Sequence, residues 1–172
     1  MTFAADLLIA QNIAFYMIAA MMIFGAVKVV TVKNMVHAAL WLVVVFGAMA
    51  AQFILLAAEF IAVTQVLVYI GAIVVLFLFG IMLTRAPMGR SDELDNGPSA
   101  KIVAIVVGAV LAGVLGFALW DGFGDDEFGE FAVQRTAEVS DSIFSTYLIP
   151  FEVISVLLLG ALIGAIVLAR RD

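Results

Sequence analysis

The polar residues that could carry chemistry are few, and two of them lie inside one long apolar stretch. Gln65 and Tyr69 are four residues apart, and Ala72 and Leu76 follow them at the spacing i+7 and i+11. On an α-helix this spacing puts all four on one face. If the stretch crosses a membrane, its amide and phenol must face other helices or trapped water. The stripe therefore predicts either a polar path or a packing contact between helices.

Gly71 marks a deformable place in the same stretch. It stands among β-branched residues, where a helical hydrogen-bond ladder can slip into a π-bulge. Glycine and the alanine that follows it also let another backbone approach closely. The β-branched neighbours are Ile70, Ile73, Val74 and Val75.

Two glutamates and one histidine are the other candidates. Glu152 follows Pro150 by two residues, and proline is favoured in the first turn of a helix, where the helix dipole stabilises a carboxylate. Either glutamate could be a proton-accessible acid. The structural alternative is that Glu59 caps a tight turn and that Glu152 is a charge at a helix end. His37 lies beside Asn34 at the start of an apolar stretch, as expected of a structural hydrogen-bond donor at an interface.

Composition excludes several kinds of site. The chain has no cysteine and a single histidine, so a thiolate site, thiol catalysis and a multi-histidine metal or haem site are not expected. We expect no catalytic residue and no metal site within this chain. No nucleic-acid partner is expected either.

The same composition places the chain in a membrane. Hydrophobic residues make up 66% of its 172 residues and charged residues only 13%, whereas soluble domains are about half apolar and about a quarter charged. The mean hydropathy is +1.23. A bilayer core about 30 Å thick needs roughly 20 apolar helical residues per span. The sequence predicts an all-α integral membrane protein, a single membrane domain over residues 1–172, with five spans at about 7–27, 38–58, 60–83, 102–120 and 148–169.

The basic residues predict the orientation. With five spans, seven of the eight lysines and arginines fall on one side, and Arg135 alone falls on the other. By the positive-inside rule the N-terminus is outside and the C-terminus cytoplasmic. Residues 88–99 then form a cytoplasmic linker and residues 121–147 an acidic outer loop. Residues 1–6 hold no lysine or arginine and do not resemble the start of a signal peptide. The seven basic residues are Lys28, Lys33, Arg85, Arg90, Lys101, Arg170 and Arg171.

Three stretches resemble one family, subunit J of bacterial respiratory complex I (NADH-quinone oxidoreductase), the equivalent of the sixth mitochondrially encoded NADH dehydrogenase subunit. The first, Asn34–Leu40, opens the second span. The second is AEFIAVTQVLVYIGAIVVLFLFGIML, with Val68–Ile73 as its most distinctive part. The third is YLIPFEVISVLLLGALIGAIVLAR, from Tyr147 to Arg170.

The resemblance implies a multi-pass subunit of the bacterial inner membrane that binds no cofactor itself. The whole complex would use NADH, FMN, iron–sulfur clusters and a quinone. Besides the lipid bilayer, the implied partners are the quinone-site subunit, the small subunit K and the antiporter-like subunits. In the family, the residues matching Tyr69–Val74 switch between α and π-bulged forms and so control a water path. The implied gating or proton-path residues are thus Gln65, Tyr69, Gly71, Ala72 and Val74.

Other function classes stay open at this point. The nearest is the equivalent subunit of a related cation/proton antiporter or membrane-bound hydrogenase complex. A freestanding transporter or channel would be expected to show an internal repeat or more intramembrane charges, and neither is present in the sequence. Only the polar stripe and the two glutamates argue against a purely structural membrane scaffold.

Overall fold

All the long apolar stretches are helical in the computed structural model of the protein, which describes residues 2–84, 97–124, 133 and 135–170. No strand is present in these ranges. Seven α-helices and one π-helical stretch follow one another through these ranges. They are α1 (Thr2–Thr31), α2 (Met35–Leu55), α3 (Glu59–Thr64), the π segment (Gln65–Val74), α4 (Val75–Leu83), α5 (Pro98–Phe123), α6 (Thr136–Phe144) and α7 (Leu148–Ala169).

The prediction of an all-helical protein with five spans is confirmed. Five stretches within the described ranges are long and apolar enough to cross a membrane. The fifth has the predicted bounds, and the others begin or end a few residues away from them. The cytoplasmic linker predicted at 88–99 lies mostly outside the described residues. The five stretches are Ile9–Thr31, Met35–Leu55, Glu59–Leu83 (the third span), Ser99–Phe123 and Leu148–Ala169.

The first three spans pack against one another. Helix α1 contacts α2, and α2 contacts all three parts of the third span. Gly25 lies so close to α2 that a Cβ built on it would be 2.8 Å from Val45 Cγ2. Beside it, the rings of Phe24 and Trp41 meet edge to face with centroids 5.5 Å apart. Small and aromatic side chains thus join α1 to α2 along one face.

The turn between the second and third spans is very tight, as predicted. Helix α2 ends at Leu55 and α3 begins at Glu59. Ala57 takes a φ of 57°, the left-handed region that side chains other than glycine rarely occupy. The reversal closes through a backbone hydrogen bond of 2.9 Å, which Ala58 N donates to Phe53 O. The short hairpin therefore brings the third span directly back along α2.

The last two spans lie apart from this cluster. Among the described residues, every side chain of α5 and α7 is exposed. The short helix α6 was not predicted; it lies within the acidic loop between the fourth and fifth spans and contacts both α3 and α7. Phe144 and Phe151 join α6 to α7 with ring centroids 5.1 Å apart. Because α6 contacts the first turns of the third span, the loop before the fifth span and the turn before the third lie at the same end of the molecule, as five spans require.

Candidate functional site

The third span changes its helix type where the sequence predicted a deformable place. It starts as α-helix, becomes π-helix over ten residues, Gln65–Val74, and continues as α-helix. The predicted feature was a bulge near Gly71, so the π region is longer than expected. Long π-helical stretches are rare, and π geometry is frequent at functional sites.

The presence of Gly71 is not explained by the reason first proposed for it. No glycine among the described residues has a positive φ. A Cβ built on Gly71 would meet only Val66 O, at 3.5 Å, an ordinary van der Waals distance. Gly71 is also exposed. In the π form, neither backbone freedom nor close packing within this chain requires a glycine here.

The face that the third span buries differs from the predicted stripe. Gln65 is 4% exposed and Val74 is 1% exposed, whereas Leu76 is 73% exposed and Ala72 is exposed too. The prediction that Gln65, Tyr69, Ala72 and Leu76 share one face is therefore wrong from Ala72 onward. Bonds from i to i+5 put more residues into each turn, so the buried face continues five residues after Tyr69, at Val74.

Tyr69 lies against α2 between the two buried residues of this face, Gln65 and Val74. Its ring meets Phe46 edge to face, with centroids 5.5 Å apart. The side chain is half-exposed, so the phenol combines an apolar contact with access to its surroundings. A phenol hydroxyl can both donate and accept a hydrogen bond. The arrangement suits a group that exchanges hydrogen bonds with water or with a neighbouring subunit.

Gln65 is buried without a full set of hydrogen bonds. Its Nε2 has no hydrogen-bond partner among the described residues. The hydroxyl of the preceding residue, Thr64, avoids this problem by donating to Phe60 O at 2.9 Å. The Nε2 of Gln65 makes no such local hydrogen bond. A buried donor without a partner costs about 1–3 kcal/mol of stability. Burial of the Gln65 amide therefore destabilises this arrangement of the third span.

The amide oxygen of Gln52 is a second buried polar atom, and the sequence pattern did not single it out. Its Oε1 is buried and has no hydrogen-bond partner among the described residues. A signal was present, because Gln52 is the only polar side chain of α2 besides His37. Gln52 follows Trp41 by eleven residues and Val45 by seven, so it shares the face of α2 that contacts α1.

The two acids lie on helices that α6 joins. Glu59 is the first residue of α3, and Glu152 lies in the first turns of α7. Both side chains are exposed. The backbone oxygen of Glu152 accepts a hydrogen bond from Ser155 Oγ at 2.8 Å. Their proposed role as proton-accessible acids stays a prediction.

His37 takes part in a helix cap through its backbone. Asn34 Oδ1 accepts hydrogen bonds from Val36 N at 2.9 Å and from His37 N at 3.2 Å. The imidazole itself is exposed. Asn34 therefore explains where α2 begins, and an interfacial role for the imidazole stays a prediction. Within the described ranges, no group of three or more histidine, aspartate or glutamate residues could hold a metal ion.

Comparison with known proteins gives one consistent result. A family model described as NADH-ubiquinone/plastoquinone oxidoreductase chain 6 matches residues 25–168. An NAD(P)H-quinone oxidoreductase subunit 6 of Paulinella chromatophora is 41% identical over 94% of this chain and 79% of its own length. The F(420)H(2) dehydrogenase subunit J of Methanosarcina mazei is 37% identical over 94% and 92%. The NADH-quinone oxidoreductase subunit J of Rhodobacter capsulatus is 36% identical over 92% and 81%.

Proposed function

The chain belongs to the family of NADH-ubiquinone/plastoquinone oxidoreductase chain 6, and on this premise we propose that it is a membrane subunit of a proton-translocating quinone oxidoreductase of the complex I type. In this function its third span forms part of the path that couples quinone reduction to proton translocation. The gating residues are Gln65, Tyr69, Gly71 and Val74, with Ala72 beside them on the exposed face.

The observation that carries the proposal is the π segment itself. Within one membrane span it brings a buried amide and a phenol against α2. Polar groups at membrane depth commonly mark ion and proton routes. A ten-residue π-helix flanked by α-helix can return to α geometry by shifting its hydrogen bonds one residue along. A span of this kind can open or close a water path without bond chemistry.

The chain itself contributes no redox chemistry in this proposal. NADH, FMN, iron–sulfur clusters and the quinone are held by other subunits. The absence of cysteine and the single histidine support this division, because iron–sulfur clusters are held chiefly by cysteine thiolates. The neighbours are the quinone-site subunit, the small subunit K and the antiporter-like subunits. The exposed apolar surfaces of α5 and α7 are compatible with such neighbours.

The proposed setting is the bacterial inner membrane, with the N-terminus outside and the C-terminus cytoplasmic. The distribution of basic residues supports this orientation. Glu59 and Glu152 then lie toward the outer side, in the first turns of the third and fifth spans. There they act as accessory proton-accessible groups rather than as obligatory relays.

The test replaces Gly71 by valine in the assembled complex. A Cβ at position 71 meets only an ordinary contact with Val66 O, but a β-branched side chain restricts the local helix geometry more than glycine does, so valine biases the helix toward one form. We expect redox-driven proton pumping and quinone reduction both to fall roughly tenfold, the effect of a bias of about 1.4 kcal/mol. Reduction of artificial acceptors that bypass quinone should continue at the parent rate.

Gly80→Val is the matched control. Gly80 lies in α4 of the same span, where the helix is plain α and nothing lies within 4 Å of a built Cβ. This variant should assemble and pump like the parent. Normal pumping by assembled Gly71→Val would reject the gate, leaving the third span with packing alone.

A second candidate function differs in the electron donor. The relative from Methanosarcina mazei is a subunit of an F(420)H(2) dehydrogenase, so the family is not tied to one donor. The equivalent subunit of a related antiporter or membrane-bound hydrogenase is the same kind of alternative. Purification in mild detergent and identification of the accompanying subunits distinguishes them, since a NADH-binding flavoprotein accompanies only the first.

A further inference from the structure

The π segment buries two residues on one face that an α-helix would place on opposite faces. Gln65 and Val74 are its first and last residues, and both are at least nine-tenths buried. Apart from the adjoining α3 and α4, the only described helix that contacts the π segment is α2. Both side chains are therefore buried against α2.

An α-helix cannot keep both of them there. Nine residues separate Gln65 from Val74, and at 3.6 residues per turn nine residues make about two and a half turns. The two side chains would then point in opposite directions. A return of this segment to α geometry must remove one of them from the contact with α2.

The free energy of burial differs between the two residues. Val74 is apolar and gains from the contact with α2. Gln65 buries an amide whose Nε2 has no hydrogen-bond partner among the described residues. A buried donor of this kind regains a hydrogen bond as soon as it reaches water or a polar neighbour. Gln65 is the residue that leaves.

We propose that Gln65 and Val74 form a two-position latch, in which the unsatisfied amide of Gln65 holds the π form close in free energy to the α form. This inference rests on the proposed gate and states what sets its balance. Only the π form buries the amide of Gln65, whereas Val74 stays against α2 in both forms. Removal of the unsatisfied donor should therefore shift the balance toward the π form.

The test measures the ratio of π to α forms of the third span in the assembled complex, by sorting single-particle images during turnover. Gln65→Met keeps the length of the side chain and removes the unsatisfied donor. The π:α ratio should rise roughly tenfold, which corresponds to about 1.4 kcal/mol. An unchanged ratio would overturn the latch.

Gln52→Met is the matched control. Gln52 also has a buried amide atom without a partner, but it shares the face of α2 that contacts α1. This variant should leave the ratio at the parent value. An equal shift in Gln52→Met would mean that general apolar stabilisation causes the change, and the latch would be wrong.

A parent that is wholly in the π form would also overturn the latch, because the latch requires the π and α forms to be close in free energy.

Proton pumping separates this inference from the proposed function. A shifted ratio in Gln65→Met with a normal number of protons pumped per electron would support the latch and reject the gate. Impaired pumping in Gly71→Val with an unshifted ratio in Gln65→Met would support the gate and reject the latch.

Discussion

Helices α2 and α7 have nearly the same length and the same apolar character, but they have different surroundings. Helix α2, with 21 residues, buries Ala39, Ala48 and Ala50 against its neighbours. Helix α7, with 22 residues, leaves every side chain exposed. The same contrast separates the cluster of the first three spans from α5.

The difference shows that apolar length predicts a span but not what the span packs against. Glycines occur in both regions, yet of the glycines that the structure describes only Gly25 lies close to another helix. Gly113, Gly160 and Gly164 have nothing within 4 Å of a built Cβ among the described residues. The packed cluster is stabilised by contacts within the chain, whereas lipid or other subunits must cover α5 and α7.

The largest expected effect is a difference in chemical labelling between the two ends of the fourth span. Ser99 begins the fourth span, and Ala137 lies in α6 beyond the other end of that span. In this cysteine-free chain, Ser99→Cys and Ala137→Cys should react with a membrane-impermeant maleimide from opposite sides, Ala137→Cys from outside. Labelling of both from one side would contradict the five-span topology.

The next effect concerns the contact between α1 and α2. Gly25→Leu places side-chain atoms where a Cβ alone is already 2.8 Å from Val45 Cγ2, and overpacking of this kind costs about 1–3 kcal/mol. We expect a lower unfolding temperature and a lower yield of assembled complex.

Gly160→Leu is the counterpart in α7, where no atom of the described chain lies within 4 Å of a built Cβ. It should be tolerated unless another subunit packs closely there. Parent-like stability of Gly25→Leu would mean that α1 and α2 are not packed as described.

A smaller effect, of opposite sign, concerns the tight turn. Ala57 has a φ of 57°, and the left-handed region costs roughly 1–2 kcal/mol for a residue with a Cβ. Ala57→Gly should therefore stabilise the complex by about 1 kcal/mol, measured as a rise in unfolding temperature.

The control is Ala58→Gly, one residue along, where φ is −93° and no such strain exists. It should give no gain. A loss of stability in Ala57→Gly would show that chain entropy outweighs the relief of strain.

The smallest effect is expected at Glu152, an exposed residue near the start of α7. Glu152→Gln should change quinone reductase activity and pumping by no more than about twofold, because water can replace the carboxylate there. Glu59→Gln, at the start of the packed third span, is the comparison. Complete loss of pumping in assembled Glu152→Gln would make it an obligatory relay.

Much of the fold could be predicted from the sequence. Long apolar runs separated by short polar segments predict five helices, because a lipid environment leaves backbone groups few other ways to be satisfied. Glu59 correctly marked the turn inside the longest apolar run. Helix α6 was not predicted, since nine residues in a polar loop give little periodic signal.

The candidate site was predicted in part. Gln65, Tyr69 and Gly71 indicated a polar, deformable place, and the π segment lies there. The buried face was predicted wrongly because the spacing was taken from an α-helix. Val74 belongs to that face and Leu76 does not, since π geometry shifts the register by one residue.

The sequence alone determined that this protein is helical, that it has five spans, and that its third span holds an amide, a phenol and a glycine at membrane depth. These properties follow from local composition and from the thickness of the bilayer. Only the tertiary structure decided which spans pack together, that α6 joins the third span to the fifth, and that Gln65 and Val74 share the contact with α2. Such outcomes depend on side chains far apart in the sequence and on small differences in helix register, which no local pattern encodes.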